Sequence, residues 1–296
     1  MYSAIRANKR NTVMIMAVFL LVIGGLGVLF GYLYNDFSIT AIVLIIAGVY
    51  ALIEYFAASR MAISMAGGRE IQKADNPLLW NTVENLAIAS GMPMPRVFII
   101  DDPAPNAFAT GRDPQHAYVA ATTGLLQIMD KRELNGVMAH EMSHVKNYDI
   151  RVSMIVFGLT AAVSLVADLF LRISIFGGGR DSDSDGDNDN LIVMILGLVA
   201  AILAPIIAAL VQLAVSRQRE FLADSSGALL TRDPEGLAIA LQKLEQYSRP
   251  MKKQNMAMAH LYINNSLKPG FFSKLFSTHP PIQDRINRLM TIGDKM

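Results

Sequence analysis

Four stretches of this chain are apolar enough to cross a bilayer, which takes roughly twenty helical residues each. They run from about 13 to 34, 39 to 56, 152 to 176 and 191 to 215, the last with Pro205 as a kink. Only Asn35, Asp36, Phe37 and Ser38 separate the first two, which predicts a tight hairpin. Composition agrees: 52% of residues are hydrophobic and 17% charged, a shift toward apolar surface relative to soluble domains. A cleaved signal peptide is the competing reading of the first stretch. It fits poorly, because the apolar run is too long and a second span follows at once.

Arg6, Lys9 and Arg10 precede the first span and place the N-terminus in the cytoplasm by the positive-inside rule. Counting spans then puts 57–150 and 217–296 on the same side, and Arg60, Arg69, Arg217 and Arg219 near span ends agree. Within the spans only Glu54, Asp168 and Arg172 stand out. The last two are four residues apart and read as a structural ion pair near the outer interface. The link 177–190 is rich in Asp and Gly. It begins like a calcium loop but has Asn188 and Ile192 where that loop needs an apolar residue and a bidentate Glu. It reads as a solvated acidic linker.

The remaining sequence predicts one mixed domain in two pieces. Helices are expected over 76–89, 132–146, 235–247 and 281–290, and short strands over 96–100 and 117–121 with a turn at 101–105 between them. A net charge of +1 gives no basis for nucleic-acid binding. With no cysteine, thiolate metal sites and cysteine nucleophiles are excluded.

The sharpest signal is His140-Glu141-Met142-Ser143-His144 on an expected helix. Residues four apart share a helix face, so both imidazoles can reach one tetrahedral zinc ion. Glu141, beside the first ligand, can then act as a base toward water. Such a site wants a third protein ligand, and Glu220 just beyond the fourth span supplies it. Asp224, one turn on, suits a hydrogen bond to a ligand imidazole. His116 and His260 read as a loop residue and a packing residue. The charged flanks of the motif helix argue against an intramembrane protease. The nearly apolar spans argue against a metal transporter, and Glu141 between two zinc-spaced histidines argues against a mere membrane scaffold.

Asn106-Ala107-Phe108-Ala109-Thr110-Gly111, Thr123-Gly124-Leu125-Leu126, the His140–His144 motif with Asn147 and Asp149, Arg219-Glu220-Phe221-Leu222-Ala223-Asp224, and Thr278-His279-Pro280-Pro281 with Arg285 follow one another in a familiar order. In these stretches, which cover nearly the whole chain, the sequence resembles the HtpX-type membrane-bound zinc endopeptidases of peptidase family M48, relatives of the CAAX prenyl proteases. The resemblance implies four transmembrane helices with an α+β gluzincin-like protease domain. It implies one zinc ion per chain, protein substrates drawn from misfolded or misassembled membrane proteins, and a cell-membrane location with the protease domain in the cytoplasm. It further implies roles for His279 and Arg285 in stabilising the tetrahedral intermediate, and for Asn106 in binding substrate backbone at an edge strand. A prenyl-protein protease shares the motifs but resembles a larger chain. The expected organisation is a transmembrane hairpin at 1–56, protease residues at 57–150, a second hairpin at 151–216 and further protease residues at 217–296.

Overall fold

The computed structural model describes residues 2–33, 35–159, 217–253, 258–264 and 280–293. Most of the expected third and fourth spans, Asp168, Arg172, the acidic linker and His279 lie outside the described residues.

Two long helices come first, α1 (Tyr2–Leu33) and α2 (Ser38–Ala66). Each holds a stretch long and apolar enough to cross a membrane, Ile5–Gly25 and Thr40–Ala66. Large side chains such as Leu21, Ile45, Ile46 and Leu52 face outward, as suits lipid contact. Both helices overrun the expected spans: α1 starts within the basic N-terminal segment, and α2 continues ten residues past Phe56. Gly67, left-handed at φ 76°, stops α2 by donating its N–H to the Ile63 and Ser64 carbonyls.

A four-stranded sheet follows, made of β1 (Gly68–Glu70), β2 (Arg96–Ile100), β3 (Ala107–Gly111) and β4 (Ala117–Thr122). Its order is β1-β2-β4-β3, with β2 and β4 parallel and the other pairs antiparallel. That makes β3 an edge strand. All five of its residues are buried, so it lacks the alternation that marks a half-exposed strand. The chain's own segment 258–264 covers the start of this edge, with Ile263 N–H donating to the Ala107 carbonyl at 3.0 Å.

Helix α3 (Pro77–Ser90) joins β1 to β2, and α4 (Thr123–Ile128) leads into α5 (Lys131–Lys146). A capping box starts α5, the Asp130 carboxylate accepting from the Glu133 N–H and the Glu133 side chain accepting from the Asp130 N–H. The next helix, α6, is described over 149–159. Then come α7 (Arg217–Thr231), α8 (Pro234–Gln246) and α9 (Ile282–Gly293).

The motif helix α5 is central. Leu134, Val137, Met138, Ala139, Met142 and Val145 are all buried in one apolar cluster with residues of α3, α8 and the sheet. At roughly 1.5–3 kcal/mol for each large side chain removed from water, that burial fixes the helix in the domain interior. Two glycines permit the tightest crossings. A Cβ on Gly136 would meet the Leu237 backbone of α8 at 2.9 Å, and one on Gly227 of α7 would lie 3.0 Å from the His140 backbone nitrogen. Gly227→Val should therefore wedge α7 off α5 and cost about 1–3 kcal/mol by overpacking. A denaturant or thermal melt of the purified protein reads this directly, and an unchanged midpoint would show that the crossing has slack.

Candidate metal centre

Helical spacing brings His140 and His144 onto one face of α5, with their Nε2 atoms 3.1 Å apart. From α7, Glu220 sends one carboxylate oxygen to 3.7 Å from His140 Nε2 and the other to 3.6 Å from His144 Nε2. These three residues form a group able to hold a metal ion. One donor atom from each lies within 4.8 Å of the other two, close enough to share one ion.

Each imidazole is oriented from behind. His140 Nδ1 lies 2.9 Å from Asp224 Oδ1, and His144 Nδ1 lies 2.9 Å from Asp149 Oδ2. A carboxylate only accepts, so each Nδ1 carries the proton and each Nε2 lone pair turns to the same point. Two lone pairs aimed at one point repel unless a cation lies between them. Without a metal, a proton must do this. Burial alone would lower the His144 pKa, but the Asp149 hydrogen bond and the charges of Glu220, Asp149 and Glu141 outweigh it and push the group up to about 9. The donor set therefore fits a divalent cation with two nitrogen ligands and one oxygen ligand.

Behind Asp224 lies Arg285 of α9, completely buried. Its Nε and Nη2 donate to the two Asp224 oxygens at 2.9 and 2.7 Å, and its Nη1 sits 3.8 Å from Glu220. Burial would raise the Asp224 carboxyl, yet the Arg285 charge and the hydrogen bonds from His140 and Arg285 hold it at about 2. Burial pushes Glu141 up from the usual carboxylate range, against the pull of His140 and His144. A carboxyl shifted that way suits proton transfer near neutrality.

The cleft over these groups is lined by Ala109 of β3, by Ile150 and Ser153 of α6, and by 260–263. Asn106 is not among its walls. It is buried at the entry to β3, where its amide donates to the Asn264 carbonyl at 3.1 Å and accepts from the Asn264 N–H at 3.2 Å. Arg285 likewise reaches the metal group from behind and not through the cleft. His260 lines the cleft, its Nε2 3.0 Å from the Ser153 carbonyl, and stays outside the metal group. His116 is an exposed partner of Asp113. The pairing of Asp149 with His144 was not read from sequence. Its signal was the i, i+5 spacing across a helix end, which carries no general rule.

Since His144 is protonated below about 9, loading a divalent ion at pH 7 must expel that proton. Metal affinity should rise with pH, by up to about tenfold per unit, and level off near 9. Calorimetric titration in buffers of different ionisation enthalpy counts the released proton. Affinity flat from pH 6 to 9 would contradict the shared-proton arrangement.

Comparison with known proteins agrees with this geometry. The profile of Peptidase family M48 matches residues 73–292. A "Protease HtpX homolog" of Tropheryma whipplei (strain Twist) is 55% identical over 295 residues, covering 100% of this chain and 99% of the relative. Another of the same description, from Lactobacillus acidophilus, is 46% identical over 98% of this chain and 99% of its own. Among solved structures, S. mikatae Ste24p superposes with a TM-score of 0.51 at 18% identity, over 98% of this chain and 67% of that one, a likeness of fold. With the His140, His144 and Glu220 group inside the matched region, the chain belongs to peptidase family M48 and is a membrane-associated metalloprotease.

Proposed function

We propose that this protease is a zinc endopeptidase of the cell membrane that cuts misfolded or misassembled membrane proteins at the cytoplasmic face. The observation that carries this reading is the meeting of His140, His144 and Glu220 in a cleft walled partly by α6, which leads toward the expected third span. The zinc ion would be held by those three residues, with Asp224 and Asp149 fixing the imidazoles. When bound, zinc supplies a Lewis acid and an acidified water.

The chain's own residues do the rest. The Glu141 carboxylate takes a proton from water and passes it to the leaving amine nitrogen, a transfer its raised pKa favours. His279 donates to the oxyanion, as the family resemblance implies. Arg285 is proposed to act indirectly, by keeping Asp224 ionised behind His140. Asn106 is proposed to shape the β3 edge through Asn264, and substrate to pair in extended form along that edge toward Ala109. Backbone pairing binds many sequences, which suits a protease for damaged proteins. The basic residues Arg6, Lys9 and Arg10 support the cytoplasmic orientation.

Glu141→Gln should abolish peptide cleavage and keep zinc bound, because the amide is no base but the ligands remain. Glu220→Ala should lose both. Zinc content and casein turnover, measured on one preparation purified with chelator and reloaded, check this. Wild-type turnover in Glu141→Gln would remove the assignment, and full zinc retention in Glu220→Ala would move the search for a third ligand to His279.

Orientation has its own test, made clean by the absence of cysteine. Single cysteines at Ser184 and at the exposed Ser248 are treated in intact cells with an impermeant thiol reagent. Position 184 should label and 248 should not. The reverse pattern would put proteolysis on the outer face.

A further inference from the structure

The corner joining α5 to α6 is gripped by the first helix of the chain. Asn8, on α1, is 3% exposed although it lies in the basic segment ahead of the apolar run. Its side-chain amide donates to the Asn147 carbonyl at 2.9 Å and to Asp149 Oδ1 at 2.7 Å. The other oxygen of that same carboxylate accepts from His144 Nδ1 at 2.9 Å. Between them sits Tyr148, in the left-handed region at φ 61°, a conformation that strains a non-glycine residue. Lys9 and Arg151 stack over its ring at 4.8 and 4.9 Å, so α1 and α6 both brace the strained position. Ile15, two turns further along α1, is fully buried in one cluster with Val152, Ile155 and Val156 of α6.

We infer that Asn8 is a positioning residue for the metal centre, acting on His144 through Asp149, so that docking of α1 completes the site. The inference deepens the zinc reading and rests on it. An amide N–H pair is a fitting partner at this place. It fixes the rotation of the Asp149 carboxylate and draws charge from Oδ1, leaving Oδ2 to receive the His144 proton. It does so without adding a second cation beside the metal. Neither Asn8 nor Asp149 holds the ion, and Asn8 does not line the cleft, so its loss acts on metal affinity and turnover and leaves substrate affinity alone.

The test uses the full chain in detergent, with zinc affinity set by chelator competition and casein cleavage split into kcat and KM. Wild type should bind one zinc, and Glu220→Ala should lose it. Failure of that step would refute the zinc reading itself, whatever Asn8 does. With it met, Asn8→Ala should weaken zinc about tenfold, the lower end for groups behind a ligand, and lower kcat with KM unchanged. Asn8→Asp keeps the shape but loses the donors, and should do at least as much harm while avoiding a cavity. Arg10→Ala, an exposed neighbour on α1, should leave both readings at wild type. In an Asp149→Ala background, Asn8→Ala should cost no further zinc affinity, because the link it acts through is gone. Wild-type zinc affinity in both Asn8 variants, or an undiminished loss in the Asp149→Ala background, would overturn the inference.

Discussion

The crossing of α5 and α7 at Gly227 is the constraint on which the rest of the molecule depends. Without a side chain there, the backbone of α7 comes within van der Waals reach of His140, and Asp224 one turn back and Glu220 two turns back face the motif helix. Closing that crossing puts Glu141, Asp149, Glu220 and Asp224 out of water together with Arg285, and with Arg219 at its rim. Four carboxylates against two guanidinium groups leave an excess of negative charge that the proton on His144 only partly offsets. Burying such an excess is costly unless a cation shares the site. A divalent ion balances the charge, which makes the cluster a metal site by electrostatics as well as by geometry.

The surrounding fold reads as the means of keeping this cluster dry and registered. The apolar face of α5 is packed by α3, α8 and the sheet, so the histidines have little freedom to shift. Lys243 reaches back from α8 to Glu133 at 2.7 Å and to the Ile128 carbonyl at 3.1 Å, tying the start of α5 to the helix that crosses it at Gly136. Surface pairs such as Arg132 with Asp233 and Glu235 add little to stability, since water and salt screen exposed ion pairs. The grip comes from burial.

Much of this was legible in the residues. The motif helix was expected over 132–146 and is found over Lys131–Lys146; α3, α8, β2 and β4 lie within a residue or two of expectation, because each has period, caps or β-branched content to mark it. Glu220 and Asp224 were readable because a ligand and its neighbour one turn on obey helix spacing. What escaped has physical reasons. Strand β3 is buried throughout, so no alternation reveals it and only the family resemblance pointed to an edge strand at Asn106, and β1 has only three residues. For Arg285 only the family resemblance implied a role, and the structure adds its two hydrogen bonds to Asp224. That pairing joins residues 61 positions apart, which no local pattern can signal. Asn8 was hidden more deeply, as one polar residue in a basic segment before a span.

The two carboxylates behind the histidines are not equivalent, and the difference bears on how the site loads. Asp224 is paired twice with a buried guanidinium, so its charge is largely neutralised. Asp149 faces a neutral amide at 2.7 Å and a guanidinium only at 4.0 Å, so more of its charge remains to act on His144. His144, beside the less compensated carboxylate, is pushed up to about 9, and it is the more exposed of the two imidazoles. A stronger base is a better donor to a metal once its proton has left, and an accessible one can release that proton to water. His144 thus exchanges a proton for the ion, and the first helix of the chain sits directly behind the carboxylate that makes it so.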